Sequence, residues 1–467
     1  MTVHPKCPPP LDPHFIPAAL WNRSFRQAVQ DSPSEGLPLG IALEQPDGSV
    51  SVYETALLPK GDPESKQLNL RYVERLVKFL LWQRGGFRVY LGGDPDLSNQ
   101  IAELYQADGE RAFDMDFMGT KAYRQTFEIV VVETVGELPA ANESVMSLGG
   151  HLDGYRIGFD LGGSDRKCAA VIDGEVVFSE EVEWDPYFQS DPQYHLDGIQ
   201  HSLERAAEHL PRVDAIGGSA AGIYVHKEAR VGSLFRGVPE DVFDSQVRRL
   251  FFGVQEKWGG VPFEIVNDGE VTALAGSMAS GDTGVLGVAM GTSEAVGYVT
   301  PEGTITTWLN ELAFAPIDYR VDAPADEWSG GMGVGAQYLC QQGVARLATP
   351  KRGFDFSEDV GFPERLKEVQ KRTEAGDKIS EQIFESIGRY FGYAVAHYAD
   401  FYEIHQVLAL GRVTSGSGGD ILLREAKEVL KIEFPELAES ICFRTPGEKE
   451  KRHGQAVAAA SLPAIKQ

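Results

Sequence analysis

Residues Tyr155 to Val171 read YRIGFDLGGSDRKCAAV, and this stretch decides the fold. Its apolar run from Ile157 to Phe159 predicts a buried strand that leads into Asp160. The following Gly162-Gly163-Ser164 predicts a tight turn whose backbone N–H groups are free to point at phosphate oxygens, because glycine lets a ligand approach the backbone closely. A plain hairpin with a glycine-rich turn explains the same stretch equally well.

Two charged residues accompany this turn. Asp160 stands at the end of a predicted strand, where its carboxylate could hold Mg²⁺, an ion that prefers carboxylate, water and phosphate oxygens. Lys167 follows on the next predicted strand and could reach a phosphate, or could equally be a solvated strand residue.

Composition excludes several classes of protein. The chain has 467 residues, which predicts two to three domains. Its formal net charge of -26 disfavours a general affinity for nucleic acids or anionic membranes. The sequence contains no apolar run long enough for a membrane span, and its proline-rich start is unlike a signal peptide. Four widely separated cysteines form no metal-type pair, so we expect a cytoplasmic protein.

The first 150 residues predict an α/β region of unknown role that carries no recognisable catalytic cluster. Residues 1–36 are rich in proline and predict a segment that wraps a surface. The rest alternates strand and helix patterns and ends in a linker. The predicted elements are strands within 37–58, a helix at 69–84, a strand at 87–91, a helix at 95–106, a strand at 127–135 and a linker at 139–147.

A second polar cluster follows another predicted strand. Residues 261–267 form an apolar run that ends in Asn267-Asp268, and a helix is predicted from Val271 to Met278. Asp268 therefore stands at the carboxyl end of a strand, where ligands bind in open α/β sheets. Taken alone, a helix cap explains Asp268 more simply, because aspartate is favoured at that position.

The stretch from Gly284 to Val299 repeats the pattern of the opening stretch. An apolar run leads to the turn Gly291-Thr292-Ser293, and a further strand begins near Ala295. One such turn is weak evidence. Two turns of this kind, separated by a strand-terminal aspartate, indicate a polyphosphate held from both sides.

From about Tyr155 to the C-terminus the chain resembles the ROK family of sugar kinases and repressors, which belongs to the actin–hexokinase–heat-shock ATPase superfamily. The resemblance depends on two phosphate motifs, a segment with the catalytic aspartate, a packed helix, an adenosine motif and a closing helix of small residues. The phosphate motifs are Asp160–Ser164 and Gly291-Thr292, and the segment with the catalytic aspartate is Asn267-Asp268 with Ala273 and Leu274. The packed helix is Ile379–Tyr402, the adenosine motif is Leu408–Arg412 and the closing helix is His453–Ala460.

The resemblance implies an α/β protein with the two-lobed, ribonuclease-H-like fold of actin-like ATPases. We expect an additional N-terminal α/β region over residues 1–150, a first lobe over 151–262 and a second lobe over 263–467. The C-terminal helix could return to the first lobe. The resemblance is also compatible with a homodimer.

The resemblance further implies ATP and magnesium as cofactors and assigns a role to each motif. Asp268 would be the catalytic base, and Asp160 would orient Mg²⁺ through water. The nucleotide would be held by Asp160, Gly162, Gly163, Ser164, Lys167, Gly291, Thr292, Ser293, Gly411 and Arg412. The acceptor substrate would be held by Asn267, Glu311 and Gly222.

The chain departs from the family at the zinc site and at the sugar site. Glu311 keeps a sugar-binding glutamate, but Phe314 stands where the family has a zinc-binding histidine. The following stretch, Asp326 to Gly335, contains no cysteine, and Cys340 alone cannot supply a site that needs about four ligands, so we expect no zinc. A second sugar-binding glutamate, near Ala336-Gln337, and a sugar-binding asparagine, near Gly237, are also missing.

Three functions are compatible with these residues: an ATP-dependent carbohydrate kinase similar to glucokinase, a non-catalytic sugar or nucleotide sensor, and an ATPase or scaffold. Asp160 and Asp268 favour catalysis, whereas the missing sugar contacts favour a sensor. A DNA-binding repressor is disfavoured, because the N-terminal region predicts mixed α/β structure rather than a helix-turn-helix and the chain is acidic.

Overall fold

A computed structural model describes residues 1–143, 149–357, 359–445 and 448–465, without the side chains of 448–453. Three larger mixed or antiparallel sheets and a short hairpin are surrounded by helices. Part of the predicted linker at 139–147, namely residues 144–147, lies outside the described residues. None of the described helices has the length and apolar character needed to cross a membrane.

The strands are β1 (Leu37–Glu44), β2 (Val50–Leu57), β3 (Arg88–Gly92), β4 (Glu128–Val132), β5 (Tyr155–Leu161), β6 (Asp165–Ile172), β7 (Glu175–Glu183), β8 (Ala215–Ala220), β9 (Ile223–Val225), β10 (Glu228–Val231), β11 (Phe263–Asn267), β12 (Val285–Met290), β13 (Glu294–Val299), β14 (Gln406–Leu410) and β15 (Cys442–Arg444).

The α-helices are α1 (Ala18–Gln30), α2 (Pro63–Arg84), α3 (Pro95–Leu104), α4 (Ala112–Asp116), α5 (Pro192–Ala207), α6 (Glu240–Val242), α7 (Leu250–Lys257), α8 (Asp268–Ser280), α9 (Gln341–Leu347), α10 (Phe362–Glu374), α11 (Lys378–Tyr398), α12 (Gly416–Glu433), α13 (Pro435–Ser440) and α14 (Glu448–Ala460).

The first lobe is built on a five-stranded sheet with the order β11-β8-β5-β6-β7. β8 runs parallel to both β5 and β11, so the carboxyl ends of these three strands meet at one edge. In the registers, Asp160 is paired with Ser219 of β8 and Lys167 of β6. This edge is therefore where the predicted phosphate turn and Asp268 come together.

The second lobe is built on a four-stranded sheet with the order β13-β12-β14-β15. β12 pairs with β13 in antiparallel fashion and with β14 in parallel. This arrangement puts the turn after Met290 next to the end of β14, where Gly411 follows Leu410.

The N-terminal region forms its own sheet, with the order β2-β1-β3-β4, but it shares a hydrophobic core with the second lobe. Trp21 and Phe25 of α1 and Phe79 of α2 belong to the same buried cluster as Tyr398 of α11. Phe79 packs with its ring centroid 6.2 Å from that of Tyr398. The region is thus built into the second lobe.

Two predictions for the N-terminal region are corrected. Residues 1–36 do not only wrap a surface, because α1 is a buried helix whose Trp21 and Phe25 have 1% and 0% exposure. Trp21, Phe25 and Val29 are spaced by four residues, but the prolines on either side of α1 made this helical pattern hard to recognise in the sequence. Helix α2 begins at Pro63 rather than Asn69, since the Asp62 side chain accepts from the Ser65 N–H and caps the helix.

Helix α14 lies against the first-lobe sheet at a distance that only glycine permits. A Cβ atom at Gly158 of β5 would stand 1.7 Å from the Ala456 carbonyl oxygen, and one at Gly217 of β8 would stand 1.8 Å from that of Ala459. On its other side, the Gln455 side chain donates to Thr272 Oγ1 of α8 at 2.7 Å. The helix thereby joins the sheet that carries Asp160 to the helix that begins at Asp268.

A buried ion pair stabilises the N-terminal region. Lys78 Nζ of α2 donates to both carboxylate oxygens of Asp114 at 2.6 and 2.7 Å, and Trp82 Nε1 donates to the same carboxylate at 2.8 Å. Burial lowers the pKa of Lys78, and Asp114 opposes this shift. The ammonium group therefore depends on its partner to remain charged.

We predict that Asp114→Ala lowers the free energy of unfolding by about 3–5 kcal/mol, because it leaves the Lys78 charge buried and unpaired. Urea unfolding followed by fluorescence measures the change. The matched control is Asp108→Ala, at an exposed position, which should change stability by less than about 0.5 kcal/mol. Equal stability of the two variants would contradict the role of the ion pair.

Candidate functional site

The carboxylate of Asp160 is buried and held by two neighbours. Ser219 Oγ donates to Asp160 Oδ1 at 2.5 Å, and Lys167 Nζ lies 3.6 Å from Asp160 Oδ2. Burial raises the pKa of Asp160, and the Lys167 ammonium opposes that shift. Lys167 is therefore not a solvated strand residue, and its charge is shared with Asp160 and with Asp165, 3.1 Å away.

The first turn is a hairpin that leaves backbone donors exposed. Gly162 N–H donates to the Asp165 carbonyl at 2.9 Å, so this N–H is not free, contrary to the prediction for the turn. Trp184 Nε1 fixes the Gly162 carbonyl from the other side at 2.7 Å. In the described part of the chain, the N–H groups of Gly163 and Ser164 have no protein acceptor. The hairpin and the phosphate-binding turn are thus compatible interpretations.

The second turn has the same construction. Gly291 N–H donates to the Ser293 carbonyl at 3.0 Å, and Gln341 N–H donates to the Gly291 carbonyl at 3.0 Å. Thr292 and Ser293 are exposed, and their N–H groups have no acceptor among the described residues. A glycine N–H closes each turn, over three residues in the first and two in the second, and the next two N–H groups have no acceptor among the described residues, an arrangement that can bind an anion.

Asp268 is the first residue of α8, which begins there rather than at Val271. The N-cap is Asn267, whose Oδ1 accepts from Gly269 N–H at 2.7 Å. The N-cap position therefore belongs to Asn267, although Asp268 Oδ1 also accepts from the Gly269 N–H, at 3.1 Å. Burial, followed by the nearby Asp160 carboxylate, raises the pKa of Asp268 to about 6. The structure thus brings the two aspartates of the predicted site close enough to repel each other.

Asn267 connects the predicted substrate residues to one another. Besides capping α8, its Nδ2 donates to the Gly222 carbonyl at 2.7 Å. Gly222 has φ +135°, and a Cβ there would stand 2.3 Å from the Val231 carbonyl oxygen, so a side chain is excluded. Both polar groups of Asn267 thus have protein partners already.

A pocket beside Asp268 contains Glu311 together with Asn267 and Gly222. Burial, with added repulsion from Asp268 and Glu270, raises the pKa of Glu311 to about 8. Residues of the N-terminal region and of both lobes line this pocket. The lining also contains Gln45, Tyr123, Tyr224, Lys227, Glu264 and Trp308.

Glu270 is a pocket residue that was not predicted. Its carboxylate accepts from Asn310 Nδ2 at 2.5 Å and from Tyr298 N–H at 3.1 Å, and burial raises its pKa to about 7. The signal in the sequence is its place two residues after Asp268, in the first turn of α8. The pocket therefore contains two acidic groups, Glu264 and Glu270, in addition to Glu311, which the sequence indicated.

A second pocket, which Asp268 itself lines, lies between α8, α14 and the ends of β12 and β14. It contains Gly411, which has φ +91° and would place a Cβ 2.4 Å from the Met290 carbonyl oxygen. Thr272, Gly276 and Gln455 also line it, whereas Arg412 is exposed and lies outside the lining. Gly411, which the resemblance assigned to the nucleotide, therefore lines this pocket, and the binding of an adenosine group there stays a prediction.

Aromatic side chains occupy the region in which zinc ligands were considered. The Phe314 ring centroid lies 4.7 Å from that of Trp82 and 5.1 Å from that of Trp328. Cys340 Sγ donates to the Ala336 carbonyl at 2.8 Å. Within the described ranges, no three histidine, cysteine, aspartate or glutamate side chains are arranged to hold a metal ion. The absence of zinc stays a prediction.

The chain shares its fold with solved ROK proteins. A ROK hexokinase from Thermus thermophilus is similar with a TM-score of 0.51 and 19% identity, over 66% of this chain and 97% of that one. This similarity confirms the predicted two-lobed fold of actin-like ATPases.

Two further structures are similar at lower scores. A ROK glucokinase from Streptomyces griseus, solved with glucose and AMPPNP, gives a TM-score of 0.48 and 20% identity over 66% of this chain and 99% of that one. A ROK transcriptional regulator, a homologue of the E. coli MLC protein, gives a TM-score of 0.48 and 17% identity over 70% of this chain and 84% of that one. No model of a protein family matches the chain, and no curated protein matches it.

A buried acid next to the second turn predicts how stability depends on pH. Glu294, the first residue of β13, accepts from Tyr398 Oη at 3.2 Å, and burial raises its pKa to about 8. Its folded pKa exceeds the unfolded value near 4.5, so its contribution to stability is present below about pH 4.5 and is lost as the pH rises towards 8.

We predict that Glu294→Gln removes this part of the pH dependence. The free energy of unfolding of the wild type should fall more than that of the variant between pH 5 and pH 8, by about 3–5 kcal/mol. Urea titrations at several pH values measure it, with Glu302→Gln at an exposed position as the control. Parallel pH curves for wild type and Glu294→Gln would refute the assignment.

Proposed function

We propose that this chain is a divergent ROK family member that transfers the terminal phosphoryl group of ATP to a hydroxyl of a sugar or sugar-like polyol. The observation that supports this most is the position of Asp268. Asp268 lines the second pocket, its neighbour Asn267 lines the pocket of Glu311, and burial with the nearby Asp160 carboxylate raises the pKa of Asp268 to about 6. A base with a pKa near the working pH suits proton abstraction from a hydroxyl.

The backbone supplies the donors that a polyphosphate needs. Gly163 and Ser164 on one lobe, and Thr292 and Ser293 on the other, present N–H groups without protein acceptors in the described chain. The pocket that contains Gly411 would take the adenosine group. When bound, ATP supplies the phosphoryl group to be transferred, and the chain contributes orientation and charge.

The residues around Asp160 fit a magnesium ion held through water rather than directly. Asp160 Oδ1 already accepts from Ser219, and Oδ2 lies 3.6 Å from the Lys167 ammonium. Direct coordination would require Lys167 to move away, whereas a hydrated ion can accept this arrangement, since Mg²⁺ usually keeps several of its waters. Asp160 would orient those waters beside the phosphates.

The acceptor hydroxyl would be positioned in the pocket that contains Glu311. Asp268 would take the proton of this hydroxyl as the hydroxyl oxygen attacks the terminal phosphorus. Glu311 and Glu270 can accept hydrogen bonds from the other hydroxyls of the acceptor. Tyr224 and Trp308 offer aromatic surface in the same pocket. The walls from three parts of the chain would exclude water from the reaction.

A sensor without catalytic activity is the second candidate. It is favoured by the Lys167–Asp160 contact, which neutralises the carboxylate that would otherwise orient magnesium. It is also favoured by Asn267, whose polar groups are both used within the protein. Such a protein would bind a nucleotide or a polyol without phosphoryl transfer.

We predict that Gly163→Ala weakens ATP binding by roughly 10-fold or more, because the added Cβ would stand 2.2 Å from Tyr187 Oη and displace this ring at the phosphate turn. Calorimetric titration with Mg-ATP measures the affinity. Gly253→Ala is the control, since a Cβ there meets no atom within 4 Å. If both folded variants bind ATP like the wild type, the first turn does not hold the phosphates.

For Asp268→Asn we predict a rate of phosphoryl transfer that is lower by roughly 10²- to 10⁴-fold, since asparagine cannot accept the proton. The wild-type kcat/KM should rise as the pH increases to about 6 and level off above it, because the base must be deprotonated. Transfer from radiolabelled ATP across a panel of sugars and polyols measures both. Asp241→Asn, at an exposed position, is the control. Near-normal turnover of the folded variant would exclude Asp268 as the base.

A further inference from the structure

We propose that Arg236 is an additional catalytic residue, whose guanidinium binds the terminal phosphate of the nucleotide and offsets the charge that develops during transfer. This inference rests on the proposed function, and it assigns a role to a residue that no motif or pocket lining included, in the loop where the sugar-binding asparagine of the resembled family is missing.

The geometry places Arg236 beside the first phosphate turn. The Tyr187 ring lies directly against this turn, since a Cβ at Gly163 would stand 2.2 Å from Tyr187 Oη. The Arg236 guanidinium carbon lies 3.7 Å from the centroid of the Tyr187 ring. Tyr187 thus connects the arginine to the turn through two close contacts.

The loop that carries Arg236 is fixed by backbone packing. A Cβ at Gly237 would stand 2.8 Å from the Tyr187 carbonyl oxygen and 2.7 Å from that of Gln189, so the two loops touch along their main chains. The side chain of Arg236 itself is exposed. It can therefore turn from the ring towards a ligand while its backbone stays in place.

Asp268 lies close enough to influence the same tyrosine. Burial raises the pKa of Tyr187, the Arg236 charge opposes this shift, and the Asp268 charge adds to it. Tyr187 therefore lies within the fields of both the proposed base and the arginine. A phosphate that reaches from the first turn towards Asp268 passes through this neighbourhood.

The positive charge of Arg236 lies over the rings of Tyr187 and Phe188, at 3.7 and 5.9 Å from their centroids, rather than beside a carboxylate. Across the described residues, no carboxylate lies within 4.0 Å of its guanidinium, although the chain has a net charge of -26. Lys167, the other cation at the turn, is committed to Asp160 and Asp165. A guanidinium can bind two phosphate oxygens at once, which suits a group of high negative charge.

In the proposed step, the bond between the terminal phosphorus and the bridging oxygen breaks as the acceptor oxygen bonds to that phosphorus. The proton of the acceptor passes to Asp268, and the electron pair stays with the departing diphosphate. Arg236 forms no covalent bond and exchanges no proton. It contributes charge and hydrogen bonds to the phosphoryl oxygens.

The test compares ATP with AMP, which lacks the terminal phosphates, in calorimetric titrations with magnesium. Arg236→Ala should weaken ATP binding by roughly 10-fold, the loss expected for a hydrogen bond to a charged group, and should leave AMP binding unchanged. Arg236→Lys should recover part of the loss. The control is Arg249→Ala, since Arg249 is an exposed arginine of the same lobe whose guanidinium carbon lies 4.8 Å from the Phe252 ring centroid.

Three results would overturn the assignment of Arg236, and each of them rejects a different part of the proposal. ATP affinity of Arg236→Ala equal to the wild type would remove the role of Arg236 while the kinase proposal stands. An equal loss for ATP and AMP would mean that Arg236 only supports Tyr187. Failure of the wild type itself to bind ATP would reject the proposed function and the role of Arg236 with it. Melting temperatures of all variants confirm that they are folded.

Discussion

The close packing of α14 on two glycines is the constraint on which the site depends. Because Gly158 and Gly217 have no side chain, the helix backbone can lie directly on β5 and β8, where any Cβ would collide with its carbonyl oxygens. The same helix is bonded to α8 through Gln455 and Thr272. It thereby fixes Asp160, on the sheet, relative to Asp268, at the start of α8. Burial, with added repulsion from Asp160, raises the pKa of Asp268 to about 6, which suits the role of base that we propose for it.

The N-terminal region stabilises the second lobe with aromatic packing. Its Trp82 packs against Phe314, at the position where a zinc ligand was considered, and the shared core continues through α11. The region also reaches the first lobe, since Lys121 and Arg124 form ion pairs with Glu240 and Asp244 at 2.5 and 2.9 Å. It is thus in contact with both lobes, and its Gln45 and Tyr123 line the pocket of Glu311.

The two-lobed fold could be predicted because several motifs of the sequence resemble those of a known family. Asp160, the two turns and Asp268 were chosen as candidates because they stand at or after the ends of apolar runs, and their roles stay predictions. Local pattern placed Glu270 next to Asp268, but it could not show the hydrogen bonds of Glu270 to Asn310 and Tyr298 or the contact of Arg236 with Tyr187, because these join distant segments. Local pattern also missed the buried helix α1, because prolines surround it in the sequence. It could not show that the Gly162 N–H closes its turn by donating to Asp165. These features arise from tertiary packing, which no short window of sequence contains.

The central claim is that a nucleotide binds between the two turns with its terminal phosphate near Asp268. A crystal structure with magnesium and a non-hydrolysable ATP analogue tests it most directly. We predict phosphate density within hydrogen-bond distance of the N–H groups of Gly163, Ser164 and Thr292, and a hydrated metal ion beside Asp160. An analogue bound elsewhere on the protein, or a site between the turns that stays empty at saturating analogue, would contradict the account.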